Sequence, residues 1–322
     1  MRTVQRMWLF SIFFLIIFIA TASFWAFKPA FSEEKTVVSP LPPDLTLEKN
    51  SQVRLLDFWK PLFAKLSAND VSLAKTAKAA LLFDLTTDKT LFEKNSTDRL
   101  PMASLAKIMT AIVALENPES SDKYVVTEED MVGEDSMGLT PGESVSLEEL
   151  IYGLMLPSGN DAAEVLANNF SGRREAFIKA MNLKAKALGL GDTNFTNPSG
   201  LQGDGDQYTT ASDLVVITKY ALENFPLFRR VVSAFTHEIP ATDMHKYFYL
   251  ENATNLITSY PGVKGVKTGF TPEAGMCLVT YLEYDGHKII GVLLNSENRR
   301  QEMKDLLDDG LKTLGVTPPK HD

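Results

Sequence analysis

Three short groups of residues carry the chemistry this chain can offer: Ser104 with Lys107, Ser158 with Asn160, and Lys267-Thr268-Gly269. Ser104 and Lys107 stand three positions apart at the opening of an apolar stretch, Pro101 to Leu115, whose spacing predicts a helix. On a helix they share a face, one above the other. A serine hydroxyl is a weak nucleophile until a base removes its proton. A lysine that is desolvated or close to a second cation is neutral often enough to be that base. The spacing therefore permits a Ser-Lys catalytic pair. The same four residues also describe a helix-start serine beside a solvated lysine, so the pair has to be judged by what surrounds it.

The elements that must position these groups can be read in order. Ala79 to Leu85, a polar Thr86-Thr87-Asp88-Lys89, and Thr90 to Lys94 predict a β-hairpin. The Ser104 helix follows and ends at Asn117-Pro118. Val125-Val126-Thr127 and the Gly-rich run Met137 to Glu143 predict short strands and turns. Ser146 with Glu149 fits a capping box opening a helix whose apolar stripe is Leu147, Leu150, Ile151, Leu154 and Met155 and which stops near Pro157. Helices are predicted over Asp161 to Phe170, Arg174 to Leu188 and Thr210 to Leu222, with a turn-rich loop at Asn197 to Asp206. From Val231 the pattern turns strand-like, and Lys267-Thr268-Gly269-Phe270 falls in a strand. Met276 to Tyr284 and His287 to Leu294 flank Asp285-Gly286 as a second hairpin, and an amphipathic helix runs from Arg300 to Leu314. Strands at both ends with helices between predict an α/β (α+β) domain: one sheet closed from both termini, carrying a helical insertion.

Composition narrows the function classes. The 322 residues are 44% hydrophobic, enough for a real core. Their formal charge of -9 gives no reason to expect nucleic acid as a partner. The single cysteine, Cys277, lies in an apolar run and reads as a buried strand thiol. His237, His245, His287 and His321 have no ligand spacing, so neither a metal nor another cofactor is expected. At the N-terminus, Arg2 and Arg6 precede an apolar run from Met7 to Phe27, long enough to cross a bilayer with the remainder outside. Ala20-Thr21-Ala22 offers a cleavage site, so a removed signal peptide competes with a retained anchor. Apolar residues continuing through Trp25 and Phe27 favour the anchor. The expected organisation is an anchor or signal peptide over residues 1–27, a Pro-rich stalk over 28–50, and a catalytic domain over 51–322, exported to the extracytoplasmic face of the membrane.

In this order, S-x-x-K, S-G-N and K-T-G resemble the signature of penicillin-binding proteins and class A β-lactamases. The S-G-N form is similar to that of low-molecular-mass penicillin-binding proteins that act as serine D-alanyl-D-alanine carboxypeptidases. Pro157 to Ala163, Asn197 to Leu201, and Gly262 to Thr271 with Ala274-Gly275 carry the same likeness, which spans roughly residues 50 to 315. The resemblance implies a β-lactamase/transpeptidase-like fold, with an antiparallel sheet flanked by helices, a helical subdomain, and the active site between them. It implies peptidoglycan stem peptides as substrate and β-lactams as covalent inhibitors.

On that resemblance, Ser104 attacks the carbonyl of the penultimate D-Ala and Lys107 accepts its proton. Ser158 relays a proton to the leaving amine, and Asn160 holds Lys107 and the substrate amide. Lys267 keeps Lys107 neutral and attracts the terminal carboxylate, which Thr268 also bonds. Gly269 lets substrate backbone lie against the strand, and the N–H groups of Ser104 and Phe270 form an oxyanion hole. Arg299 would assist with the carboxylate. No E-x-x-L-N segment supplies a deacylating glutamate, so penicillin is expected to stay on Ser104. The chain ends at Asp322, soon after its last helix, which makes the N-terminal segment the expected tether. The alternatives are a β-lactamase or DD-endopeptidase of the same fold, or a non-catalytic module that recognises wall peptides.

Overall fold

The computed structural model describes residues 73–254 and 256–321; the expected anchor and stalk lie outside them. Strands β1 (Ala79–Asp84) and β2 (Lys89–Lys94) form the first hairpin. A 3-10 turn, Ala103–Ala106, leads into α1 (Lys107–Glu116). Short strands β3 (Tyr124–Val125) and β4 (Ser144–Val145) pair with each other ahead of α2 (Leu147–Met155). Next come α3 (Asn160–Asn168), α4 (Arg173–Ala187), α5 (Ala211–Asn224) and α6 (Pro226–Val232). A second hairpin, β5 (Thr236–Ile239) with β6 (Phe248–Glu251), precedes a helical turn α7 (Leu256–Ser259). The chain then returns to the main sheet through β7 (Val263–Thr271), β8 (Gly275–Tyr284) and β9 (His287–Ser296), and closes with α8 (Arg299–Thr313).

The main sheet has the order β2-β1-β9-β8-β7, antiparallel throughout. Pairing of β1 with β9 is the predicted closure from both ends. Alternate residues of β1 enter opposite cores, as the two-residue period of a strand requires. Leu81 and Phe83 join the core shared with the helical part, whereas Ala80 and Leu82 pack with Met303, Leu306, Leu307 and Leu311 of α8. Burial on both faces explains why β1 reads as a continuous apolar run rather than an alternating one.

Helix α1 is buried from Lys107 to Ala114, so its apolar character runs around the whole cylinder, as befits a central helix. The capping box at Ser146 and Glu149 forms as the sequence predicts. Two predictions differ: the helix expected from Pro101 opens as the 3-10 turn that holds Ser104, and the strand pattern expected from Val231 begins later. Val231 and Val232 are not strand but the end of α6, because Pro226 at the first helical position starts a helix whose Phe228, Val231 and Val232 turn inward. Among the described residues, no helix is long and apolar enough to cross a membrane.

Candidate active site

Ser104 lies in the 3-10 turn and Lys107 begins the α-helix proper. In a 3-10 turn, residues three apart eclipse each other, so the S-x-x-K spacing brings the two side chains into register. Lys107 Nζ is 2.9 Å from Ser104 Oγ, 2.7 Å from Asn160 Oδ1 and 2.6 Å from the carbonyl oxygen of Ser199. Those last two partners can only accept. A neutral amine has two N–H bonds and one lone pair. With both N–H groups spent on Asn160 and Ser199, the lone pair is left facing Ser104, the one partner with a proton to give. Burial, followed by the charge of Lys267, holds the Lys107 amine well below the usual lysine range; Asp135, Asp161 and Glu164 oppose the shift.

The second motif sits where α2 gives way to α3. Ser158 adopts the left-handed region with φ 69°, a conformation costly for a residue with a Cβ and often found at working sites. Its hydroxyl is buried and, among the described residues, has no hydrogen-bond partner. Asn160, the first residue of α3, donates through Nδ2 to Gly133 O at 3.0 Å while Oδ1 faces Lys107.

Strand β7 supplies the third group at the edge of the sheet. Lys267 is buried, its Nζ donating to Thr268 O at 3.1 Å, and burial pushes its pKa down to about 7, with Arg299 adding to the effect and Asp135 opposing it. Gly269 also has a packing reason to lack a side chain. A Cβ there would lie 3.0 Å from Ser104 N and 3.1 Å from Ala103 Cβ, so the missing side chain makes room for the nucleophile's own turn. That close approach sets Phe270, next along the strand, beside the Ser104 turn. The Phe270 side chain is 59% exposed, opposite Met276 on β8. Arg299 Nη1 donates to the carbonyl of Gly269 at 2.6 Å and of Cys277 at 3.3 Å, which brings this arginine to the strand carrying Lys267 and Thr268. Cys277 is buried on β8, and burial raises its thiol to about 11.

Two contributors were given no role at the site by sequence reasoning, although the first lies in a segment that carries the family likeness. Asn197-Pro198-Ser199-Gly200 reads as a loop, yet it holds the lysine through the Ser199 carbonyl, and Thr110 of α1 donates to Pro198 O at 2.6 Å to fix it. A Cβ on Gly200 would fall 2.0 Å from Ala103 O, and its φ of 89° suits glycine. The 133–139 loop is the other: Gly133 receives the Asn160 amide, and Asp135 acts electrostatically on both lysines. A carbonyl acceptor has no sequence signature, because every residue carries one. A cleft of about 230 Å³ opens beside Ala103 and Gly200, towards Thr271 and Glu273. Among the described residues, no group of three or more His, Cys, Asp or Glu side chains could hold a metal ion.

Comparison with known proteins identifies the family. The D-alanyl-D-alanine carboxypeptidase family profile matches residues 65–298. D-alanyl-D-alanine carboxypeptidase DacF of Bacillus subtilis is 37% identical over 268 residues, covering 80% of this chain and 68% of that protein. The crystal structure of the Streptomyces K15 DD-transpeptidase superposes with a TM-score of 0.68 at 31% identity, over 74% of this chain and 97% of that one. Penicillin-binding protein D2 of Listeria monocytogenes, in its cefotaxime-bound form, gives 0.66 at 29% identity over 75% and 99%. The fold is that of the β-lactamase/transpeptidase-like proteins, and the chain belongs to the D-alanyl-D-alanine carboxypeptidase family.

Proposed function

We infer that this protein is a serine D-alanyl-D-alanine carboxypeptidase that removes the terminal D-Ala from peptidoglycan stem peptides through an acyl-enzyme on Ser104. The observation that carries this reading is the buried Lys107 amine, with both N–H groups engaged and its third direction 2.9 Å from Ser104 Oγ. Lys107 takes the hydroxyl proton as Oγ bonds to the carbonyl carbon of the penultimate D-Ala. The N–H groups of Ser104 and Phe270 stabilise the oxyanion, and such a donor is worth roughly 100- to 1000-fold in rate. The C–N bond then breaks, and the proton that Lys107 accepted reaches the departing D-Ala amine through Ser158, whose free hydroxyl gives up its own proton and regains one from the lysine. Water hydrolyses the ester and restores Ser104. Lys267, Thr268 and Arg299 hold the terminal carboxylate. β-Lactams present a strained amide to the same serine and remain attached. Ser104→Ala is expected to keep the fold by circular dichroism while losing both D-Ala release and covalent labelling by fluorescent penicillin. Retention of either activity would sink the assignment.

Arg2, Arg6 and the apolar run to Phe27 support a retained N-terminal anchor that holds the enzyme at the extracytoplasmic face. The expected result is a full-length mass in the washed membrane fraction. A soluble exported form lacking the first 22 or so residues would overturn this.

A further inference from the structure

Asp161 follows Asn160 on α3 and enters the chemistry above only through its charge, which opposes the lowering of the Lys107 pKa, yet its buried carboxylate is among the most heavily bonded in the site region. Oδ1 accepts from the N–H of Met137 at 3.0 Å and of Ala162 at 2.9 Å. Oδ2 accepts from the N–H of Leu139 at 3.0 Å and of Gly138 at 3.1 Å, and from Ser136 Oγ at 2.5 Å. Successive backbone N–H groups converging on one point form a concave anion site. Here the anion is built in, and it clamps the 133–139 loop against the start of α3. The loop in turn grips Asn160 twice: Asp135 O accepts from Asn160 N at 2.8 Å, and Gly133 O accepts from Nδ2 at 3.0 Å.

That grip decides which way the Asn160 amide points. A side-chain amide offers an acceptor on one side and donors on the other, and the Gly133 carbonyl can only accept, so Nδ2 faces it and Oδ1 is left for Lys107. Were the amide to turn over, its NH2 would face the lysine. The neutral amine would then spend its lone pair on Asn160 instead of on the Ser104 proton. We propose that Asp161 is a positioning residue for acylation: by anchoring the 133–139 loop it locks the Asn160 amide in the orientation that keeps the Lys107 lone pair directed at Ser104. The inference rests on the acyl-enzyme reading given above.

Asp161→Asn tests it, because the variant keeps the shape but sets an NH2 against backbone N–H groups that only donate, whichever way the amide turns, with the Ser136 hydroxyl as the one partner able to accept. The readout is the rate of covalent labelling of full-length protein by fluorescent penicillin, normalised to folded protein, in a double-mutant cycle with Asn160→Ala. Misplacement of a catalytic group at this scale predicts a loss of roughly 10- to 100-fold with Asn160 present. With Asn160→Ala already in place, the same substitution should change the rate by less than about 3-fold, the residue having nothing left to orient. An equal loss in both backgrounds, or no loss in either, overturns the proposal, since a purely structural carboxylate would act additively. Should Asp161→Asn fail to fold, Ser136→Ala removes one donor from an exposed position and enters the same cycle, with a loss of roughly 3- to 10-fold expected only beside Asn160. Failure of the wild-type protein to label at Ser104 would refute the acyl-enzyme reading itself, a result separate from any outcome of the cycle.

Discussion

A lysine serves as a base only in its neutral form, so the pH at which Lys107 gives up its proton sets where this enzyme works. Its pKa lies well below 10.5, chiefly through burial and secondly through Lys267. Acylation should therefore rise with pH through that lowered value. Lys267→Met removes the second cation, which lets the Lys107 pKa rise, so the acid limb of the acylation profile should move to higher pH. The same substitution loses a charged hydrogen bond to the substrate carboxylate, and kcat/KM for a D-Ala-D-Ala peptide should fall by roughly 10- to 150-fold, the equivalent of ~1.5–3 kcal/mol. A limb that stays put or moves to lower pH would show that Lys267 does not act on Lys107. Because Lys267 itself titrates at about 7 in the free protein, its hold on a carboxylate should weaken as pH rises through that value. The residue types and spacings made Ser104, Lys107, Ser158, Asn160, Lys267 and Thr268 legible in the sequence, since each owes its part to its side chain. Ser199 and Gly133 were not legible, because they contribute a carbonyl that any residue would carry.

Among the elements, the 197–201 loop and the edge of β7 matter most, since both press on the turn that bears Ser104. Gly200→Ala would force a Cβ against Ala103 O and hold an L residue at φ 89°. Such strain costs about 1–3 kcal/mol, to be read as a lower urea midpoint, and the displaced Ser199 carbonyl should slow penicillin acylation as well. An unchanged midpoint would mean that the loop relaxes away freely. Sequence patterns found the helices with caps or apolar stripes, such as α2 and α5, and the β8–β9 hairpin with its Asp285-Gly286 turn. They misread Val231-Val232, where two β-branched residues end a helix because packing of Phe228 and its neighbours outweighs local preference. The 3-10 turn at Ser104 was also hidden, since the apolar pattern of α1 runs through it without a break.

At the scale of the molecule, the site draws on segments from Ala103 to Arg299, and the sheet that supports it is closed by β1 and β9 from opposite ends of the described chain. Each of Met303, Leu306, Leu307 and Leu311 on α8 contributes about 1.5–3 kcal/mol by burial against that sheet. The domain should accordingly lose its site and its fold together. In urea, far-UV circular dichroism, penicillin labelling and exposure of the Cys277 thiol should share one midpoint, the thiol being buried and protonated until then. Loss of labelling at lower urea would reveal a site that melts by itself.

Strand β7 ends the sheet, and an open sheet edge is a template on which a foreign strand can add, the first step of aggregation. An enzyme that reads extended peptides cannot simply hide that edge. Here the turn bearing the nucleophile is pressed against Gly269, and the exposed Lys264 sets a charge near the other end. The catalytic turn thus doubles as a guard: a second copy of the chain meets the Ser104 turn before its backbone can register with β7 at Gly269.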